Sequence, residues 1–468
     1  MSQQQVASRD GEKSTQANKW RTSLTSACII LCQFVQMIPM GAGINGSLHI
    51  VEGLGAPPEQ ALWIVASYPL TQGTFVIIGG RIGAVYGHKI TTVVAGAAWV
   101  IFHLIAGFMR DVISLCVMRA FSGIGAAFIM PNAIALITIN FPPGKTRNLT
   151  VGLFGAMAPI GAAGGSVFPG LFGQLLPWWW LFFFLAILGT FVYGLFFLVV
   201  EGEEQPMDRN GKIDYVGAYF SVAGLFLFNF SWTQASLVGW DHPYVYVILL
   251  LSLLHLVIFG FLEAKVIDQP IMPMGIWASR SFSMMIVSAF YLLHELWYVT
   301  LVCYRLEPGG GAGAAILSAH IVRYVAAQYI FAIGSLATLV SLILIATMPE
   351  QQSYWAQVFP ALLLASLGPD FLFTASQLIA SGTVKRSQQG VAGSLIGTVL
   401  AYGMATGLGF AGTVEYYTKN QGKGLVKGYR NGLYLGIGMA GAAVVLPLLS
   451  VRIPKETRDG WDEETIAK

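Results

Sequence analysis

Three ionisable side chains lie inside long apolar stretches of this chain, where ionised groups are rare. Arg119 lies in VMRAFSGIG, Glu295 in an apolar run that begins near residue 283, and Asp370 in GPDFLF. A guanidinium keeps its charge, and an ionised side chain at the centre of a bilayer costs about 2.5–3.5 kcal/mol even on insertion scales. A carboxylic acid removed from water can instead bind and release a proton near neutral pH. These residue types predict proton coupling along a polar pathway between packed helices.

The composition places these residues in a membrane protein. Of the 468 residues, 55% are hydrophobic and only 10% are charged, and the mean hydropathy is +0.65. Such a composition indicates a polytopic membrane protein rather than a soluble multidomain protein. The net charge of +3 is small and gives no support for nucleic-acid binding.

The sequence lacks the residue patterns expected for disulfides, metal sites, ATP hydrolysis and enzyme catalysis. The 4 cysteines fall in apolar stretches without CxxC or His-rich spacing, which argues against disulfides and metal sites. The sequence has no GxxxxGK[ST] loop for ATP hydrolysis, and no nucleophile, base or metal constellation predicts an enzyme. We therefore expect no cofactor and no metal, and a proton gradient as the source of energy.

Windows of about 20 apolar residues predict about fourteen membrane-spanning helices in an all-α fold. Both termini are expected in the cytoplasm, because the basic residues of the loops through the ninth span fall almost entirely on that side. The predicted units are a polar cytoplasmic tail (1–20), a six-helix bundle (21–200), a charged cytoplasmic linker (201–214), two further spans (215–280), a C-terminal bundle (281–452) and a cytoplasmic tail (453–468).

The tenth predicted span is abnormally thin. Residues 308–325 read PGGGAGAAILSAHIVRYV, with glycines at one end and His320 and Arg323 at the other. If this segment crosses the membrane, the later loops carry more basic residues inside than outside, and if it does not cross, the excess is outside. Crossing is therefore favoured. The alternative is that residues are missing here through a deletion or a wrong splice prediction.

Five stretches resemble the fungal fourteen-span drug:proton antiporter branch of the major facilitator superfamily. They are GRIGAVYGHK from Gly80, Val117 to Ala127, GAMAPIGAAGG from Gly155, WWWLFFFLAIL from Trp178 and Gly390 to Glu415. The resemblance implies two six-helix bundles that rock about a central cavity, with spans seven and eight inserted between them. It also implies that Arg119 acts in proton coupling, with Asp370 as the first candidate proton carrier; the alternative is a structural arginine satisfied by backbone carbonyls. Glu295 is the second candidate because of its position in an apolar span, and the alternative is a neutral acid hydrogen-bonded to a neighbouring helix.

The loop after the second span resembles the family's gate loop but departs from it at two positions. Ala84 stands where the family has an acid, and Val85 where it has a basic residue. The charge network that holds the cytoplasmic gate shut in the family is therefore incomplete here. We expect Arg81 and Lys89 to help latch the gate, and the alternative is that they only anchor the topology. The retained loop residues are Gly80, Arg81, Gly87, His88 and Lys89.

The fifth span resembles the family's antiporter motif and carries little side-chain bulk, so a neighbouring helix can approach closely. This suits a helix that repacks during gating, and plain tight packing is the alternative. Its motif residues are Gly155, Pro159, Gly161 and Gly165.

Aromatic and amide residues within the spans predict a weakly polar cavity. Such a cavity offers stacking and apolar area with few fixed hydrogen bonds, which suits an organic amphiphile. The candidate cavity residues are Gln33, Gln36, Trp63, Tyr68, Asn132, Tyr291 and Trp297.

Together these features predict a monomeric, multi-pass transporter of the fungal plasma membrane. It would export a small organic compound, such as a drug or a secondary metabolite, in exchange for protons. One alternative keeps the fold but has it take up or export a small solute such as borate or ammonium. Another is a transport-deficient family member or a wrongly predicted gene product.

Overall fold

The computed structural model describes residues 3–141, 145–202, 206, 208–209, 211–292, 327–349, 352–353, 355–383, 389–420 and 424–451, with side chains from residue 20 onwards. The described residues form helices and connecting turns and contain no β-strand. This agrees with the all-α fold expected from the sequence.

The helices follow one another with short connections along most of the chain. In order they are α1 (Gln3–Gly53), α2 (Ala61–Tyr86), α3 (His88–Ala106), α4 (Val112–Asn140), α5 (Lys145–Leu175), α6 (Trp180–Val199), α7 (Tyr215–Val238), α8 (Pro243–Lys265), α9 (280–292, where the described segment stops), α10 (Ala327–Ala346), α11 (Val358–Thr383), α12 (Gln389–Asn420) and α13 (Leu425–Ser450).

Among the described residues, 10 helices are long and apolar enough to cross a membrane. They are α1 to α8, α10 and α13. The apolar windows of the sequence predict spans at the same places, near 24–46, 61–80, 90–108, 112–131, 149–172, 179–200, 215–237, 244–264, 326–348 and 432–451. Helices α11 and α12 contain shorter apolar segments, Val358–Phe373 and Val391–Leu400. The thin tenth span predicted at 308–325 lies outside the described residues, so the count of about fourteen stays a prediction.

Local sequence signals explain where several helices begin. The Asp111 carboxylate accepts a hydrogen bond from the Ser114 backbone N–H at 2.8 Å and caps α4, and this bond lowers the pKa of Asp111. Asp214 caps α7 in the same way through the Gly217 N–H, also at 2.8 Å. Between α2 and α3, Gly87 has φ 104°, a left-handed backbone conformation that favours glycine.

The amino-terminal bundle comprises α1 to α6. Helix α1 packs against α5 and α6, α2 packs against α4, and α3 packs against α4 and α6. Close approach of α1 and α5 depends on the glycines of both helices: a Cβ at Gly41 would meet the Ala162 carbonyl, and a Cβ at Gly165 would meet that of Ile38. Side-chain bulk is absent where the two backbones touch, as expected for helices packed in a membrane.

The second half contains α10 to α13, and its contacts with the first half run mainly through α2 and α12. Helix α11 also touches α5, and α7 packs against both α2 and α12. Helix α8 packs against α7, so the two inserted helices lie beside the junction of the bundles. The amino-terminal bundle and this junction position the residues considered next.

Candidate functional site

Arg119 is held in the centre of the amino-terminal bundle by backbone carbonyls. Only 1% of the residue is exposed. Its Nε donates to the Ile64 carbonyl on α2 at 2.9 Å, and its Nη2 donates to the Pro39 carbonyl on α1 at 3.1 Å. Its guanidinium carbon also lies 6.0 Å from the centroid of the Tyr68 ring, a cation–π distance. Three helices therefore fix this cation in place.

Space for the guanidinium comes from Gly43, a residue that the sequence analysis did not single out. A Cβ at this position would lie 3.3 Å from Cζ of Arg119 and still closer to its Nη2. No real Cβ tolerates the closer of these contacts, so a larger residue would displace the arginine. The sequence does not distinguish Gly43 from its neighbours, because α1 contains several glycines.

Backbone carbonyls accept two hydrogen bonds from Arg119 but do not neutralise its charge. The two salt bridges among the described residues are Arg21–Glu201 and Arg81–Asp208, and neither involves Arg119. Of the predicted partner acids, Glu295 lies outside the described residues. Asp370 lies on α11, with its side chain outside the described part of the chain. Their pairing with Arg119 stays a prediction.

A chain of polar contacts leads from Tyr68 deeper into the bundle. The Trp99 indole donates to Tyr68 Oη at 3.1 Å, and Tyr68 Oη donates to the Gln36 carbonyl at 2.5 Å. His103 Nδ1 lies 2.8 Å from the Trp99 carbonyl, and the His103 ring centroid lies 3.9 Å from that of Trp99. These buried contacts join α1, α2 and α3 around the arginine, and they make His103 a packed core residue.

Three glutamines form a second polar chain on α1 and α2. Gln33, Gln36 and Gln72 are each 0% exposed. Gln72 Nε2 donates to Gln36 Oε1 at 3.4 Å, and Gln36 Nε2 donates to Gln33 Oε1. Two buried atoms at the ends of this chain have no hydrogen-bond partner within the described residues, the Gln33 Nε2 donor and the Gln72 Oε1 acceptor. The glutamine chain thus presents a free donor at one end and a free acceptor at the other.

The glutamine chain belongs to the junction of the two bundles. On α2, Val65 packs in one cluster with Leu408 of α12, whereas Val76 lies beside Gly397 of the same helix. Gln72 stands between them at helical spacing, seven residues after Val65 and four before Val76, on the face of α2 that points to α12. The sequence analysis missed Gln72, although its four-residue spacing from Tyr68 was a usable signal.

Part of the predicted gate loop is held in hydrogen bonds. Arg81 Nη1 donates to Asp208 of the linker at 2.7 Å. His88 Nδ1 lies 2.6 Å from Asn132 Oδ1, and the Asn132 amide also donates to the Gly79 carbonyl at 2.9 Å. The structure thus places Asn132, a predicted cavity residue, with the gate loop and apart from the glutamines.

The remaining loop residues have different surroundings. Gly80 faces α12, where a Cβ would meet the Ser394 hydroxyl. The Lys89 ammonium lies 5.4 Å from the centroid of the Phe197 ring, and its side-chain stem packs near Gly202 of the linker. Lys89 therefore contacts α6 and the linker. Among the described residues, it makes no hydrogen bond to the groups that bind Arg81.

The motif glycines of α5 pack against two helices, α1 and α11. A Cβ at Gly155 would meet the Phe373 ring of α11, and one at Gly161 would meet the Phe34 carbonyl of α1. Gly165 touches α1 as described above. Pro159 lies within α5, and its side chain is outside the described part of the chain. This agrees with close packing of α5 and leaves its part in gating as a prediction.

The other predicted cavity residues are dispersed. Trp63 Nε1 donates to Gln234 Oε1 of α7 at 3.2 Å, and its ring centroid lies 5.1 Å from that of Phe230. Tyr291 lies on α9, half-buried beside Phe290. Trp297 lies outside the described residues. Of the predicted cavity set, the structure brings together Gln33, Gln36 and Tyr68.

Comparisons with known proteins agree with this architecture. Residues 27–329 match the Major Facilitator Superfamily profile. The chain is 32% identical over 444 residues to a low affinity ammonium transporter of Saccharomyces cerevisiae (89% of this chain, 86% of the relative). It is 30% identical over 446 residues to an aminotriazole resistance protein of the same yeast (89% and 82%). It is 34% identical over 433 residues to the multidrug transporter mdr3 of Aspergillus fumigatus (90% and 78%).

A solved structure supports the same fold. A POT family transporter in complex with a thioalcohol-conjugated peptide superposes with a TM-score of 0.63, at 15% sequence identity, over 91% of this chain and 94% of that one. At this identity the likeness concerns the fold alone.

Proposed function

The chain belongs to the major facilitator superfamily, and from this premise we propose that it exports a small organic compound in exchange for protons by alternating access. The observation that carries the proposal is the buried cation of Arg119, joined through Tyr68 to the glutamine chain at the bundle junction. A fixed intramembrane charge marks an ion or substrate pathway by default. A polar chain beside it offers a place for the transported molecule.

Proton coupling is assigned to Arg119 with Asp370 first and Glu295 second as the proton carrier. A permanent cation favours the ionised form of a nearby carboxyl group and so promotes release of its proton. Protonation of the acid removes its attraction to the cation and leaves the two bundles free to rearrange. Because the carbonyls of Ile64 and Pro39 hold Arg119 in place, the acid is the member of the pair that changes state.

The glutamine chain favours an uncharged substrate with both hydrogen-bond donors and acceptors. Gln33 Nε2 offers a donor and Gln72 Oε1 an acceptor, and both are buried, where an unsatisfied amide group is costly. A molecule that pairs with both ends gains two hydrogen bonds in an apolar setting. Trp63, which donates to Gln234 of α7 beside the junction, supplies apolar contact area.

Ammonium transport is a second candidate, because one relative carries that name. Tyr68, which donates to the Gln36 carbonyl, also lies against the positive charge of Arg119, and this charge repels a cation. This observation favours the export of an uncharged compound over ammonium transport.

We further propose that the protein works as a monomer in the plasma membrane with both termini in the cytoplasm.

Transport by purified protein in proteoliposomes tests the proposal, with radiolabelled aminotriazole as the probe. Aminotriazole is uncharged and carries amino donors and ring-nitrogen acceptors. We expect an imposed pH gradient to drive its exchange, and we expect Asp370→Asn or Glu295→Gln to abolish that dependence. Transport that ignores the gradient and both substitutions would contradict proton coupling.

The same assay tests the glutamine chain. Gln72→Ala is expected to raise KM about tenfold with little change in kcat, since a hydrogen bond from a buried amide contributes about 1–1.5 kcal/mol. Gln60→Ala is the matched control, because Gln60 is exposed before α2. An unchanged KM in Gln72→Ala, or preferred transport of radiolabelled methylammonium, would overturn the assigned substrate class.

A further inference from the structure

The gate loop lacks an acid at Ala84, and the structure brings a carboxylate to the same place from elsewhere in the chain. Asp208, in the linker between α6 and α7, donates its backbone N–H to the Ala84 carbonyl at 3.0 Å. Its Oδ2 accepts from Arg81 Nη1 at 2.7 Å. We propose that Asp208 positions Arg81 and so supplies the acidic half of the cytoplasmic gate, an inference that rests on alternating access.

Arg81 also reaches beyond the linker acid. Its Nη2 donates to the Lys212 carbonyl at 2.9 Å and to Gln269 Oε1 at 3.1 Å. Gln269 Oε1 accepts in addition from the Lys212 backbone N–H at 2.8 Å. One guanidinium therefore binds the linker at two points and the segment after α8 at a third.

The segment that carries Gln269 packs in an apolar cluster in which helices of the second half meet Ile77 and Ile78 of α2. Two residues beyond it, Ile271 is buried in one apolar cluster with Phe282 of α9 and Phe331 of α10. Arg81 stands on α2, in the first half. The Arg81–Gln269 bond therefore connects the two halves, next to the place where Gly80 approaches Ser394 of α12. Bonds at this position hold the bundles together at the end of α2 that carries the gate loop.

The linker is shaped to deliver Asp208 to Arg81. Glu201 at its start pairs with Arg21 of α1, and Asp214 at its end caps α7. Between them the Gly211 N–H donates to the Asp208 carbonyl at 2.9 Å and closes a turn. A Cβ at Gly211 would lie 2.8 Å from Arg81 Nη2 and closer to Asp208 Oδ2, so glycine leaves room for the pair.

The exposure of the pair suits a contact that must break in every transport cycle. The side chain of Arg81 is 20% exposed and that of Asp208 is 44% exposed. Water and salt screen such a pair, so it contributes far less than a pair in a dry interior. The Asp208–Arg81 bridge therefore biases the gate towards the closed state by about three- to fivefold and still permits opening.

The rate at which a cysteine at the closed gate reacts with a maleimide tests the proposed role of Asp208. In a background with the four native cysteines replaced by Ala, Ser394→Cys is placed opposite Gly80 and labelled with a polar maleimide in nanodiscs, where both faces are accessible. We expect Asp208→Asn to raise the labelling rate about three- to fivefold, because the closed gate loses its acid. Size-exclusion chromatography checks that each variant is folded.

Two further variants distinguish the loss of the Asp208–Arg81 bridge from a general loss of order in the linker. Glu201→Gln removes the other ion pair of the linker and should leave the labelling rate unchanged. Ala84→Asp, added to Asp208→Asn, places a carboxylate three residues from Arg81 on the same helix and should restore slow labelling. The proposal is overturned if Asp208→Asn labels no faster than Glu201→Gln, or if Ala84→Asp fails to slow the reaction.

The labelling rate reports the position of the gate and needs no substrate. If Asp208→Asn does not change the labelling rate, the proposed role of Asp208 in the gate is wrong. The proposed transport activity is not affected by that result. Conversely, a failure of proton-driven aminotriazole exchange would leave the gate measurement intact.

Discussion

Arg119 and Arg81 are both held by hydrogen bonds to the protein, but in opposite ways. Arg119 is 1% exposed and donates to two backbone carbonyls of neighbouring helices. Arg81 has a 20% exposed side chain and binds a carboxylate, a side-chain amide and a carbonyl in segments outside the bundle helices. The first arrangement keeps a charge fixed in the membrane, and the second makes a contact that can open. Different surroundings thus give the same residue type different tasks.

The largest effect is expected from removing the fixed charge. Arg119→Ala should reduce proton-driven transport at least about 100-fold, because no other described cation lies at this depth to act on the coupling acid. Arg119→Lys should retain only part of the activity, since a single ammonium cannot reproduce the planar fork of the guanidinium. Proteoliposome exchange under a pH gradient measures both. Normal proton-coupled transport by Arg119→Ala would contradict the role of Arg119 as a fixed coupling charge, and so its contrast with Arg81.

A smaller effect is expected from moving the arginine without removing it. Gly43→Ala forces a Cβ against the guanidinium, and overpacking of this kind typically costs about 1–3 kcal/mol. We expect a lower thermal unfolding temperature in detergent and about tenfold slower coupled transport.

Gly438→Ala is the control for this substitution, because a Cβ at Gly438 would have no neighbour within 4 Å. If both alanine variants behave alike, the position of Arg119 does not depend on Gly43.

The smallest effect is expected from salt. Raising the ionic strength from about 0.05 to 0.5 M shortens the Debye length severalfold and should screen the half-exposed Asp208–Arg81 pair. Labelling of Ser394→Cys should then rise about twofold in the parent protein and stay unchanged in Asp208→Asn. The dependence of coupled transport on Arg119 should be insensitive to salt, because Arg119 is only 1% exposed and is screened much less than a surface charge. A salt response of equal size in both labelled proteins would contradict this distinction.

Sequence patterns predicted where most of the described helices lie along the chain. Long apolar windows located α1 to α8, α10 and α13, since the thickness of a bilayer fixes the length of a spanning helix. Arg119 was identified for the same reason, because a charge in such a window is conspicuous. Gln72 and Gly43 were not identified, because an amide or a glycine on a helix gains meaning only from the helix that packs against it.

The sequence by itself determined that the chain is a polytopic helical protein with a permanent charge inside the membrane, because both follow from composition along short windows. It also revealed that Ala84 leaves the gate loop without its acid. Only the tertiary structure decided what takes that place. Asp208 is far from Arg81 along the chain, and the fold alone brings its carboxylate within 2.7 Å of the guanidinium. Contacts of this kind depend on how helices and linkers pack in space, which no local pattern of residues encodes.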